Sequence, residues 1–268
     1  MLRSASYEVE VAFTEKQGDA EECARKASQN GDSFIVAAGG DGTFNEVMNG
    51  MAMGGARLAL LPMGTTNVLA KELCVPEDLE GAVAVVLTGK EHLVSLGRVT
   101  LPQLSPPVTR YFCLMAGIGF DGETVYGINP ALKKYWGKTA YILSGLKTLA
   151  GYSPAELTFA VNGQSLRGYS AVIGKSSKYG GHFRITPDAS LERPELYACI
   201  MQGKGRTDIL RYAAGVLAGR HLGFRDIIYL RTDSVSIRGE APVQVDGDYL
   251  GTTPAEISVV PGALRLIF

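Results

Sequence analysis

The stretch Gly39-Gly40-Asp41-Gly42-Thr43 constrains this chain more than any other. It follows Ser33-Phe34-Ile35-Val36-Ala37-Ala38, a short apolar run that reads as a fully buried parallel strand. After it come residues 44–52, with Phe44, Val47, Met48 and Met51 on one helical face. A glycine loop between the end of a strand and the start of a helix lets the backbone take positive φ and lets a ligand approach where no Cβ stands. The N–H groups free at the helix start, together with the helix dipole, favour an anion such as a phosphate. Thr43 is placed to cap that helix. Asp41 sets a carboxylate beside the anion, which suits a bound cation or a reacting hydroxyl. An ordinary glycine-rich turn would satisfy the same residues, so this loop alone does not decide.

A second unit repeats the arrangement. Arg57-Leu58-Ala59-Leu60-Leu61-Pro62 is another apolar strand, it ends in Met63-Gly64-Thr65-Thr66-Asn67, and Val68 to Leu73 reads as a helix. Both loops then lie on one edge of a parallel sheet, where open α/β sheets bind ligands. Two loops of small residues on one edge, one acidic and one rich in hydroxyls, suit a nucleotide triphosphate. No Gly-x-x-x-x-Gly-Lys-Ser/Thr loop occurs, so the site is not of the Walker type. Phosphoryl transfer asks for positioning, charge neutralisation and a group to take the acceptor's proton. Positioning falls to Gly39, Gly40, Asp41, Gly42 and Thr43 in one loop and to Gly64, Thr65, Thr66 and Asn67 in the other. Asp41 is the first choice to hold Mg2+ between the phosphates, directly or through water. Asn45 and Glu46, one turn into the helix, are expected to support it, although Glu46 reads equally well as a favourable charge at a helix start.

The pair GGDGTFNEV (39–47) and PMGTTNVLA (62–70) resembles the diacylglycerol kinase catalytic family, which also contains sphingosine kinases and bacterial lipid kinases. GGDGT alone is shared with NAD kinases. The GTTN that follows, with AGIGFD (116–121) and DGD (246–248), points to the lipid-kinase branch, and the resemblance runs from about Tyr7 to the C-terminus. It implies a kinase that passes the γ-phosphoryl of ATP, with Mg2+, to the hydroxyl of a diacylglycerol-like or sphingoid lipid. The family carries Asp-Gly-Glu at the last motif, with its glutamate as proton acceptor; Asp248 stands in that place, one methylene shorter. From the residues alone, Asp246-Gly247 between alternating residues is a hairpin turn. The resemblance further implies that Thr14 touches the nucleotide, where a polar strand end is an equal reading. Gly119, Phe120 and Asp121 are expected to shape the lipid pocket, with a buried turn as the competing reading.

Two departures from the family are expected to matter. Relatives begin with an extra strand and an Asn-Pro-x-x-Gly loop, whereas this sequence starts at what resembles the second strand, so the sheet is expected to lack a strand and the site a wall. Bacterial relatives also hold a structural Mg2+ with an Asp just before a glycine and with backbone carbonyls. Here Arg193-Pro194 occupies that place, and an arginine cannot ligate a cation, so this second metal site is expected to be absent, with Glu192 and Glu195 the residues that would contest it. Besides the lipid kinase, two alternatives stay open: an NAD kinase-like phosphotransferase, and a non-catalytic binder of nucleotide or lipid.

The remaining chain fits this outline. Tyr7–Phe13 alternates charged and apolar residues as a strand with one wetter face, and a helix runs from Gly18 to Ala27. Leu79, Ala82, Val83, Val86 and Leu87 mark another helix. Residues 1–93 are read as the nucleotide-binding α/β domain with an open parallel sheet, and 94–268 as a β-rich antiparallel sandwich that binds the lipid. Helices are expected over about 130–149 and 207–218 within it. The first of these, rich in lysine with Trp136 and Tyr135, reads as a solvated basic face in preference to a membrane-facing one. With 26 Lys and Arg against 27 Asp and Glu, there is no general pull on nucleic acid, and no nucleic-acid partner is expected. Cys23, Cys74, Cys113 and Cys199 lack metal-type spacing and read as reduced thiols. No apolar h-region opens the sequence and no stretch reaches the roughly 18 apolar residues of a span, so a cytoplasmic protein is expected, meeting its lipid peripherally and transiently at the inner membrane face. His92, His182 and His221 are given no catalytic role.

Overall fold

The computed structural model describes residues 8–31, 34–127, 145 and 147–268. The first half alternates helix and strand: α1 (Asp19–Gln29), β1 (Phe34–Gly39), α2 (Asp41–Met51), β2 (Arg57–Pro62), α3 (Val68–Glu72) and α4 (Leu79–Thr88). Asp78 starts α4, its carboxylate accepting from the Gly81 N–H at 2.7 Å. β1 and β2 run parallel in register from Phe34 opposite Arg57 to Gly39 opposite Pro62, which brings the two glycine loops side by side.

Strands dominate after this point. β3 (Glu91–Leu101), β4 (Val108–Phe112) and β5 (Met115–Ile118) lead into α5 (Phe120–Tyr126). Then follow β6 (Leu157–Val161), β7 (Gln164–Gly168), β8 (Ser170–Gly174), the short β9 (Lys178–Tyr179) and β10 (Phe183–Arg184), and β11 (Leu196–Met201). α6 (Arg206–Leu217) precedes β12 (Ile227–Thr232), β13 (Ser234–Arg238), β14 (Pro242–Val245), β15 (Asp248–Thr252) and β16 (Ala255–Ile267). Six strands form an antiparallel sheet in the order β12-β11-β8-β5-β14-β15. The other large sheet is mixed: β1-β2-β16-β13-β6-β7, with β3 paired to β16 and β4 paired to β3. The architecture is therefore an α/β N-terminal domain followed by a β-rich sandwich.

β16 ties the two parts together. Most of its length pairs antiparallel with β3, and after an irregularity between Val260 and Leu264 its last residues pair parallel with β2, Arg265 opposite Arg57 and Leu266 opposite Leu58. The sandwich core is built from alternate residues of the two sheets, among them Val99, Phe112, Ile118, Phe159, Ile173, Ile200, Ile237 and Ile257, all essentially excluded from water. The opposite residues of the antiparallel sheet are buried too: Val172, Cys199 and Met201 belong to a second core with Ile209 and Tyr212 of α6. Burial on both faces explains why β8 reads as a continuous apolar run.

The structure corrects three readings. β1 lies at the edge of its sheet among the described residues, and most of it is half-buried, not fully buried. Residues 8–13 form no strand: Val11 and Phe13 are exposed, because an alternating segment becomes a strand only when another offers it a ladder. Thr43 does not cap α2, which begins two residues earlier with Gly40 as its N-cap. The helix expected over 130–149 falls mostly on residues outside the described ones. Among the described residues no helix is long and apolar enough to cross a membrane.

Candidate active site

The two glycine loops touch through their backbones. The Met63 N–H donates to the Gly39 carbonyl at 2.8 Å. A Cβ on Gly64 would stand 2.6 Å from the Gly40 Cα, so any side chain there would force the loops apart. The second loop is closed on itself by Asn67, at φ 48°, whose amide both accepts from the Gly64 N–H and donates to its carbonyl at 2.9 Å. The first loop is open toward the ligand side. A Cβ on Gly42 would meet nothing within 4 Å. No side chain caps α2, and its first helical bond runs from the Phe44 N–H to the Gly40 carbonyl, leaving the N–H groups of 41–43 outside the helix ladder. Such a helix start fits an anion.

Both carboxylates of α2 serve neighbouring helices. Asp41 accepts from the Val68 and Leu69 N–H groups at 3.0 and 3.1 Å, capping α3 from 27 residues away. Glu46 accepts from the Ala20 N–H at 3.2 Å and so caps α1, whose own N-cap, Gly18, has no side chain. Each Asp41 oxygen retains a lone pair that a hydrated cation can use. Glu72, at the end of α3, accepts from Ser177 N–H and Oγ and from the Lys178 N–H at 2.9–3.1 Å, tying the second loop's helix to the other domain.

The Asp-Gly-Asp segment is a two-residue hairpin. Val245 of β14 pairs with Asp248 of β15 across Asp246 (φ 48°) and Gly247 (φ 89°), both left-handed as a type I′ turn requires. Asp246, read from the sequence only as a turn residue, is its anchor. Its Oδ1 accepts from the Leu114 and Met115 N–H groups at 3.0 and 2.8 Å, and its Oδ2 from the Cys113 N–H and from Asn45 Nδ2, both at 3.0 Å. Burial raises its pKa against the pull of these donors.

Asn45, expected to support Asp41, and Asp121, expected to shape the lipid pocket or a buried turn, both brace this hairpin. Asn45 is buried; its Nδ2 donates to Asp246 and to the Tyr111 carbonyl, and its Oδ1 accepts from Arg110 Nε and Nη2 at 3.2 and 2.9 Å. Asp121, whose pKa burial raises, accepts from the Tyr179 hydroxyl and from Gln244 Nε2 at 2.5 Å, while Gln244 Oε1 accepts from the Gly247 N–H at 2.7 Å. Gly119 (φ 77°) starts α5, and Phe120 packs edge-on against Tyr152 at 5.1 Å. Arg110 also pairs with Glu21 of α1. These braces join residues up to about 200 positions apart, so spacing along the chain carried no sign of them.

Asp248 lines a cavity of about 490 Å3 with Gln17, Glu21, Glu46, Arg110 and Tyr249. Thr14 lies in the exposed segment ahead of α1 and is not part of that wall, and Thr65 is exposed on its loop. His221 is buried with Nε2 at 2.9 Å from the Ile185 carbonyl, which makes it structural. Among the described residues no group of three or more His, Cys, Asp or Glu side chains could hold a metal ion by itself. A cation near Asp41 would therefore need oxygens from its ligand or from water.

Residues 1–99 match the family model of the diacylglycerol kinase catalytic domain, and residues 115–268 match that of the YegS C-terminal NAD kinase beta sandwich-like domain. A diacylglycerol kinase of Bacillus subtilis (strain 168) is 32% identical over 262 residues, covering 95% of this chain and 84% of the relative. One of Staphylococcus carnosus (strain TM300) is 29% identical over 260 residues, covering 95% and 82%. Among solved structures, a diacylglycerol kinase from Bacillus anthracis str. Sterne aligns with a TM-score of 0.71 at 19% identity, covering 99% of this chain and 87% of that one. Yeast NADH kinase complexed with NADH aligns at 0.51 with 13% identity, covering 88% and 61%. At these identities the two structures speak for the fold alone.

Proposed function

Since the chain belongs to the diacylglycerol kinase catalytic family, we propose that it transfers the γ-phosphoryl of ATP to the hydroxyl of a diacylglycerol-like or sphingoid lipid. The observation that carries this reading is the 3.0 Å bond from Asn45 to Asp246. It fastens the hairpin bearing Asp248 to the helix whose start is open to phosphate. In this reading the N–H groups of 41–43 and the loop Gly64-Thr65-Thr66 receive the phosphates, with Thr14 on the nucleotide. Asp41 would hold Mg2+, directly or through water, and the cation would supply charge neutralisation to the phosphates. The acceptor hydroxyl enters the cavity beside Asp248, whose carboxylate takes its proton. Tyr249 lies against the exposed Tyr126, ring centroids 4.8 Å apart, and offers acyl chains an aromatic lip at that cavity. The protein would work in the cytoplasm and meet its lipid peripherally at the membrane face.

Transfer from labelled ATP with Mg2+ to a panel of mixed-micelle lipids, with NAD as a soluble acceptor, tests the proposal. Label in one lipid, lost in Asp248→Asn, is the expected result. Label in NAD alone would replace the lipid by a soluble acceptor, and bound ATP without any transfer would mark a binder.

A further inference from the structure

Lys175 follows β8 and has no exposed surface. An ammonium so placed has lost its water and needs other oxygens. It finds them in one turn: it donates to the carbonyl of Ser190 and to that of Arg193 at 2.8 Å. The turn is closed by its own backbone bond, Arg193 N–H to the Ser190 carbonyl at 3.3 Å, and follows another closed by Ala189 N–H to the Thr186 carbonyl at 3.0 Å. Carbonyls converging on one point from a tight turn form a cradle for a hard cation.

A divalent metal does not fit this turn. Its two converging carbonyls are engaged by Lys175. Glu192 points instead to His92 Nδ1 at 2.8 Å, and Glu195 lies between Arg231 at 3.3 Å and Arg193 at 3.7 Å. The Arg193 guanidinium adds its own positive charge to the turn.

We propose that the Lys175 ammonium is the resident cation of the Ser190–Arg193 turn, built into the chain where a metal ion would otherwise be held, so that the second domain keeps its shape without a divalent metal. The reach of this anchor extends to the first domain. Two and three residues beyond Lys175 stand Ser177 and Lys178, whose N–H groups bind Glu72 at the end of α3, and the Lys178 ammonium donates to the Lys71 carbonyl. A turn fixed by an internal charge thus supports the helix that follows the second glycine loop. Any Mg2+ requirement of catalysis then arises at the phosphates alone.

The test is thermal unfolding of the full chain without nucleotide, in EDTA and in Mg2+, with elemental analysis of the protein as purified. The wild type is expected to melt at the same temperature in both and to carry no stoichiometric metal. Lys175→Met is expected to melt lower by on the order of 10 °C in either buffer. The double variant Lys175→Ala/Arg193→Asp, with room and a carboxylate at the turn, is expected to melt higher in Mg2+ than in EDTA. A wild-type midpoint that falls on chelation, or stoichiometric metal in the nucleotide-free protein, would overturn the proposal. So would a Lys175→Met protein as stable as wild type. If Lys175→Met does not fold, the wild-type comparison still decides.

Discussion

Two charged side chains of opposite sign, the half-buried Asp246 and the buried Lys175, flank one short peptide segment, Cys113–Met115, and they are satisfied in different ways. Asp246 takes all three N–H groups of that segment and adds Asn45 from α2. On the other side, the Leu114 carbonyl accepts from the N–H groups of Lys175 and Ser176 at 2.8 and 3.1 Å, and the Lys175 ammonium reaches on to the Ser190 turn. The acid sits on a short side chain among backbone donors fixed by β5, and it joins two domains. The lysine reaches through a long stem and closes a turn inside one domain. The acid can therefore set the geometry of a site, whereas this buried base secures the frame behind it.

The sharpest way to break the comparison is Asp246→Ala. It strips the partner from several buried N–H groups at once, and a loss of about 3–5 kcal/mol is expected in urea unfolding, together with loss of transfer. A loss below 1 kcal/mol would mean that the hairpin is held by its turn alone. Two residues on, Asp248→Asn should lower transfer by about 10²–10⁴-fold while stability moves by no more than about 0.5 kcal/mol. Comparable effects on stability from the two aspartates would erase the division of labour between them. Lys175→Met removes two bonds where Asp246→Ala removes five, one of them a weak one from the Cys113 thiol, and about 2–3 kcal/mol is expected in the same urea measurement.

The smallest effect is a dependence on pH. Burial lowers the Lys175 pKa to about 8 from 10.5, against the pull of Glu195, Cys113 and Glu72. Between those values the unfolded chain holds more protons than the folded one, so the lysine's contribution to stability rises with pH there. Asp246 titrates at the other end of the scale. Its folded pKa is raised, the folded chain holds more protons just above the ordinary Asp value, and its contribution falls as pH rises through that window. Urea midpoints for wild type and Lys175→Met should therefore diverge above pH 8 and run parallel below it. Divergence confined to acid would show that the lysine is not the group that titrates.

Much of the fold could be read from short-range pattern. Strand, glycine loop and helix occur twice within 40 residues, and their register follows from residues adjacent in sequence. The Asp246-Gly247 hairpin was legible for the same reason. Roles set by distant partners were not. Nothing along the chain shows that Asp41 also caps α3 through Val68 and Leu69, or that Asn45 bonds Arg110 and Asp246. Lys175 went unnoticed because its two carbonyl partners are backbone groups, which every residue supplies. Residues 8–13 carry a strand's alternation, yet a strand forms only where another lies beside it.

The pairing of β16 with β2 also bears on the order in which the molecule can be made. β2 carries the second glycine loop, and its neighbour on that side is supplied by Arg265 and Leu266. While the chain grows on a ribosome, the loops and helices of the first 90 residues wait with one flank of their sheet open until more than 170 further residues have been added. The half that carries the two glycine loops, synthesised before the sandwich, is among the last parts to be completed.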